Sequence, residues 1–211
     1  MPTGQDTKVA KKHVSADVRR EQLVTAALRV MKRDGIAAAT TRAICSEAGM
    51  PHGAFHYCFR SKQELYTALL TTDINNSLDA VWPVISPKAE AADNIRTLLR
   101  SFWSLVEADP ETELVLIELV SFALREPELH ELPVWEHRAY LGKAVAHLER
   151  LAEEARLDYT IDLQVLAEMV IATLSGVTSS WLSHRDDGVA RETLDRFADL
   201  FAGLTRPKQS R

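Results

Sequence analysis

His52 and His56 stand four residues apart in PHGAFHYC, with Cys58 two positions on. Those are metal-ligand types at metal-ligand spacing, but a closed zinc site needs four ligands and the neighbouring sequence offers no fourth. The same spacing arises whenever a helix turns two polar side chains outward, so no metal and no other cofactor is expected here. Cys45 and Cys58 are the only two cysteines. A bridge between them would act as a redox switch, yet neither has a lysine cluster to favour its thiolate, and two free thiols in a reducing compartment is the plainer reading. The third chemical feature of the segment is charge. From Ala48 to Arg60 there is no Asp or Glu, while Arg42 and Lys62 flank the stretch. A face of imidazoles and cations without carboxylates suits contact with a phosphate backbone.

The whole chain repeats that asymmetry. Its net charge is −5 over 211 residues. Residues 1–62 hold 11 Lys/Arg against 5 Asp/Glu and the remainder 14 against 25, so a basic head precedes an acidic body. Only the head is suited to a polyanion. No Gly-rich phosphate loop, His-Glu-x-x-His or Gly-x-Ser-x-Gly occurs, which leaves an enzyme without machinery. No run approaches the ~20 uncharged apolar residues of a membrane span, and the polar, basic start has no signal-peptide core. A cytoplasmic protein is expected.

Helical periodicity dominates and no stretch alternates like a strand, so the expected fold class is all-α with about nine helices. A disordered tail over 1–15 leads into a first helix from about Asp17 to Arg33, stopped by Gly35. Thr40 caps a short second helix, Thr41 to Ala48, and a third runs from Pro51 to Cys58. Ser61 and Glu64 have capping-box spacing and open a fourth, to about Asp79. After Pro83 and Pro87 come helices near 88–108, 111–125, 128–156, 161–184 and 189–204, then a loose tail over 206–211. The division expected is a basic head over 16–62, a connecting helix over 61–79, and a larger helical body over 80–205.

Two short helices broken by Gly49-Met50 fit a helix-turn-helix: the glycine permits the turn, Met50 pegs it, and Ile44, Ala48, Phe55 and Phe59 close the core behind. His52, Gly53, Ala54 and His56 are then free for a major groove, with Tyr57 and Lys62 near phosphate. The stretch TTRAICSEAGMPHGAFHYCFRSKQELYTALL resembles the DNA-binding part of the TetR (tetracycline-repressor-like) regulators. Thr40, Ile44, Ala48, Gly49, Gly53, Phe59, Ser61, Lys62 and Leu65 fall in register, and the likeness spans about 17–77. It implies DNA contacts from Thr41, Arg42, His52, Gly53, Ala54, His56 and Lys62, and Thr40, Pro51 and Tyr57 complete the expected DNA-binding set. Pro51 stands where the family has a hydroxyl cap, Cys45 where it has alanine, His56 where it has tyrosine, and Cys58 where it often has His or Tyr. IELVSFALREPEL and IATLSGVTSSWL look like sensor halves of the same family.

The resemblance further implies a homodimer on a palindromic double-stranded operator, released by a small-molecule effector. A repressor is the main reading, an activator of the same fold the alternative, and a helical interaction protein without DNA binding a third. An apolar or amphipathic effector would lie among Trp82, Phe102, Trp103, Phe122, Trp135 and Tyr140, with Glu118 as a conceivable buried carboxylate; plain core packing competes for each aromatic. Glu118 shares a seven-residue period with Glu111 and Arg125, which reads more as a wet face. Leu166, Val170, Val177 and Trp181 on the eighth helix, with Leu194, Phe197, Phe201 and Leu204 on the ninth, are the expected dimer interface; packing within one subunit is the competing reading.

Overall fold

The computed structural model describes residues 15–80 and 82–208, excluding the side chains of 75–80. The expected tail over 1–15 lies outside the described residues except for Ser15, which caps α1 (Ala16–Asp34) by accepting from the Val18 amide. That helix buries Leu23, Ala26, Ala27, Val30 and Met31 and stops at Gly35, whose φ of 84° lies in the region glycine adopts without cost. α2 (Thr41–Glu47) opens where the Thr40 hydroxyl accepts from the Ala43 amide at 3.1 Å. α3 (Gly53–Cys58) is only six residues long and has no side-chain cap, in keeping with proline at 51. α4 (Lys62–Ala80) starts with Ser61 Oγ accepting from the Glu64 amide at 3.2 Å. The reciprocal bond slips one residue: Glu64 accepts from the Arg60 amide at 2.8 Å.

The body comprises α5 (Ala91–Ala108), α6 (Pro110–Ala123), α7 (Leu132–Ala155), α8 (Leu163–His184) and α9 (Asp187–Ala202). Asp109 caps α6 and also receives Lys32 of α1 at 2.7 Å, tying head to body. The head's core does not end at α4. Val115, Leu116 and Leu119 of α6 and Leu132 of α7 are buried in one continuous cluster with Leu23, Phe55 and Tyr66. A second cluster joins α5, α7, α8 and α9, and a third sets Trp103 edge-on to Trp181 at 5.3 Å.

Two short strands were not expected. β1 (Leu157–Tyr159) and β2 (Thr205–Pro207) pair antiparallel, with Asp158 opposite Arg206. Arg156, left-handed at φ 54°, ends α7 and its carbonyl accepts from the Lys208 amide at 2.9 Å. Residues 206–208 are therefore pinned rather than loose; three-residue strands are too short to leave a period in sequence. α8 is long and apolar enough by composition to cross a bilayer; one face packs against α7 and α9, and 33% of its apolar stretch is buried.

Candidate nucleic-acid interface and effector cavity

The turn between α2 and α3 is built as its residues dictate. Gly49 takes φ 65°, where a side chain would be strained, and the Met50 amide closes the turn on the Cys45 carbonyl at 2.8 Å. Met50 and Ala48 pack against the head core, and Ile44, Phe55 and Phe59 lie inside it. Arg20 of α1 locks the far end of α3. Its guanidinium stacks 4.3 Å from the Phe59 ring, donates to the Cys58 carbonyl and pairs with Glu64 at 2.8 Å.

This frame turns one face outward. Thr40, Arg42, Pro51, His52, Gly53, His56, Tyr57 and Lys62 are exposed, with Thr41 and Ala54 half-buried beside them. The His52 and His56 rings meet edge-on at 5.8 Å. Among the described residues, no three His, Cys, Asp or Glu are grouped to hold a metal ion. Cys45 and Cys58 are buried; burial pushes the Cys58 thiol up, away from the reactive thiolate.

The head's cations divide into two sets. Arg29 and Arg33 pair with Glu47 at 3.0 and 2.9 Å. Arg42, Arg60 and Lys62 make no ion pair among the described residues. Arg60 joins the sequence-derived set on that ground; the acid-free stretch ending on it was the available signal. Beyond Gly53, a Cβ would meet nothing within 4 Å. Gly53→Leu should therefore leave folding stability within ~0.5 kcal/mol. Its DNA affinity, measured by anisotropy, should fall at least tenfold because the added side chain fills space the duplex needs.

The body encloses an apolar cavity of about 70 Å³. Leu98, Leu99 and Phe102 of α5, Tyr140 and Leu148 of α7, and Leu166, Val170 and Leu174 of α8 are among its walls. His147 stacks on Phe102 at 5.5 Å and meets Trp82 at a tilt at 5.2 Å, and Tyr159 closes the β1 side, its hydroxyl donating to the Leu148 carbonyl at 2.7 Å.

Of the seven expected pocket residues, Phe102 and Tyr140 line the cavity and Trp82 backs it through His147. The others require correction. Trp103 belongs to the Trp181 cluster, Phe122 and Trp135 pack on the head-side core, and Glu118 is exposed on the outer side of α6. Leu166, Val177, Trp181, Leu194 and Phe201 are likewise corrected. All five are buried within one subunit, and Leu166, Val170 and Phe201 face the cavity. Phe197 and Leu204 pack half-buried against the same cluster. What α8 and α9 turn outward instead is Val165, Met169, Ala172, Gly176 and Leu200.

A helix-turn-helix head with an acid-free outward face, sharing its core with a helical body that encloses a cavity, defines a DNA-binding regulator. The chain matches, over residues 23–69, the family described as "Bacterial regulatory proteins, tetR family". It is 26% identical over 188 residues to the nicotine-responsive transcriptional repressor HdnoR of Paenarthrobacter nicotinovorans, covering 89% of this chain and 96% of that one. It is 27% identical over 160 residues to the regulator BetI of Rhizobium meliloti, covering 76% of each. Salmonella enterica GusR shares the fold at a TM-score of 0.72 and 18% identity, covering 92% of this chain and all of that one.

Proposed function

We propose that this protein is a homodimeric transcriptional repressor that leaves a palindromic operator when a small apolar or amphipathic molecule enters the body cavity. The observation that carries the reading is the link between the two sites. Tyr140, a cavity wall, donates to Asp73 of α4 at 3.0 Å, and α4 begins at Lys62 on the DNA-facing side. The cavity is far smaller than the ~300 Å³ of a typical ligand site, so an effector must push its walls apart. A molecule that binds only the expanded state shifts the equilibrium by that difference in affinity. The repressor role is supported by the nicotine-responsive relative. The exposed stripe on α8 and α9 is the surface proposed for the dimer, with two α3 helices in successive major grooves ~34–36 Å apart. A cytoplasmic location fits this role.

Footprinting on DNA flanking the protein's own gene should reveal an imperfect palindrome. On that site His56→Ala should alter base preference, whereas Lys62→Ala should weaken all sequences about evenly and flatten the salt dependence by roughly one ion. The reverse pattern would refute the assignment of the face. DNA affinity unchanged by salt would end the reading as a DNA-binding protein.

A further inference from the structure

The walls of the body cavity carry no formal charge. Among the described residues, no Asp, Glu, Lys or Arg lines it. The two tyrosines in the wall direct their protons elsewhere: Tyr140 donates to Asp73 at 3.0 Å and Tyr159 to the Leu148 carbonyl at 2.7 Å. A carboxylate or an ammonium group seated there would lose its hydration and meet no counter-ion, the most costly kind of burial. Size narrows the class further. An apolar cavity of ~150 Å³ lined by Leu, Ile and Phe stays dry and takes benzene. At about 70 Å³ this one is smaller. A modest outward shift of its walls admits one ring, whereas a long chain or a fused ring system demands a much larger expansion.

The walls also favour rings over saturated hydrocarbon. Phe102, Tyr140, His147, Tyr159 and Phe201 all line the space. Ring already packs on ring around it. His147 lies 5.5 Å from Phe102 with 20° between their planes, and Phe201 lies 6.0 Å from Phe197 at 28°. A flat ligand ring joining such walls gains roughly two- to tenfold in affinity beyond the area it buries. A saturated molecule of the same volume forfeits that gain.

We propose that the effector is an uncharged molecule built on a single aromatic ring, seated among Phe102, His147 and Phe201. This rests on the effector reading above and deepens it, setting aside charged ligands and long amphipathic chains.

The test uses the full chain and five probes. Anisole, methoxycyclohexane, benzylamine and benzoate share one size, and octanoate stands for an amphipathic chain. Calorimetry at pH 7 should show anisole binding about two- to tenfold tighter than methoxycyclohexane. It should bind at least about tenfold tighter than benzylamine, benzoate or octanoate. Ala144→Leu and Val170→Phe each add carbon to the cavity wall and should abolish anisole binding. Circular dichroism identifies the folded variant, and having two keeps the test sound if one folds poorly. A charged probe binding as tightly as anisole overturns the assignment of class; if that probe also releases operator DNA, the effector reading stands without it. Methoxycyclohexane binding as tightly as anisole overturns the aromatic part. Anisole binding that survives in a folded variant places the ligand outside this cavity and overturns the proposal. Selective anisole binding that leaves DNA affinity unchanged supports the class of the site and overturns the regulatory reading. No binding by any probe at millimolar concentration overturns both.

Discussion

Ala172→Arg should convert the protein into a folded monomer of 23.6 kDa whose operator affinity is about a thousandfold weaker. Ala172 lies on the exposed side of α8 between Met169 and Gly176, while Thr173 and Val177 are buried. In one subunit an arginine there extends into water, so folding stability should stay within ~0.5 kcal/mol. In the proposed dimer the same residue nears its own copy across the two-fold axis, and two guanidinium groups would lose solvent with no carboxylate to pair. Splitting the dimer makes each head bind alone and forfeits the 10²–10⁴ that joining two binding modules confers. Leu166→Ala provides the contrast. Its side chain is buried and faces the cavity, so it should cost about 2–5 kcal/mol of stability and leave the dimer mass unchanged. Sedimentation and chemical denaturation read both outcomes. A dimeric Ala172→Arg protein beside a monomeric Leu166→Ala protein would restore the sequence-derived interface.

That contrast shows where sequence reading runs out. Periodicity identified an apolar stripe on α8 through Leu166, Val170 and Val177, and the stripe is real. It marks a face that must be covered without saying by what; here α5, α7 and α9 of the same chain cover it. The outward face mixes Val165, Met169 and Ala172 with Gln164 and Glu168, so no stripe stood out. Three of the six expected pocket aromatics, Trp103, Phe122 and Trp135, lie away from the cavity for a related reason. Trp103 and Trp135 are as suited to a solid core as to a cavity wall, and only tertiary placement separates the two.

Glu118 and Glu113 illustrate a third limit. Apart from Glu118, residues 114–124 form a nearly unbroken apolar run that hides the helix phase. Burial of Val115, Leu116, Leu119 and Ala123 settles it, turning Glu118 outward as its seven-residue period had hinted. The partly buried acid is Glu113, just before the run. The head was far more legible because its signals are local. Thr40 and Ser61 cap the helices that follow them, Gly49 takes the turn conformation that glycine permits, and missing acids mark the surface. The core shared between head and α6 left no such mark.

Glu113→Gln should stabilise the folded protein by up to about 3 kcal/mol at pH 8 while changing little near pH 4. Burial raises Glu113 from 4.5 to about 7, with Asp73 and Asp109 adding, so the native state holds a proton that the unfolded chain gives up. Between those two values the folded form binds more protons than the unfolded one, and stability falls as pH rises. The contribution is whole below about 4.5 and lost as pH climbs through about 7. At ~1.4 kcal/mol per unit the interval corresponds to roughly 3 kcal/mol, an upper figure because relaxation and water entry reduce it. The charges acting on Glu113 are Asp73 on α4 and Asp109, the cap of α6, itself held low by Lys32; Tyr140 on α7 feels Glu113 in turn. They remain in both proteins, so the difference between two urea series, run from pH 4 to 8, isolates Glu113. A gain equal at every pH would mean that packing, not charge, is responsible.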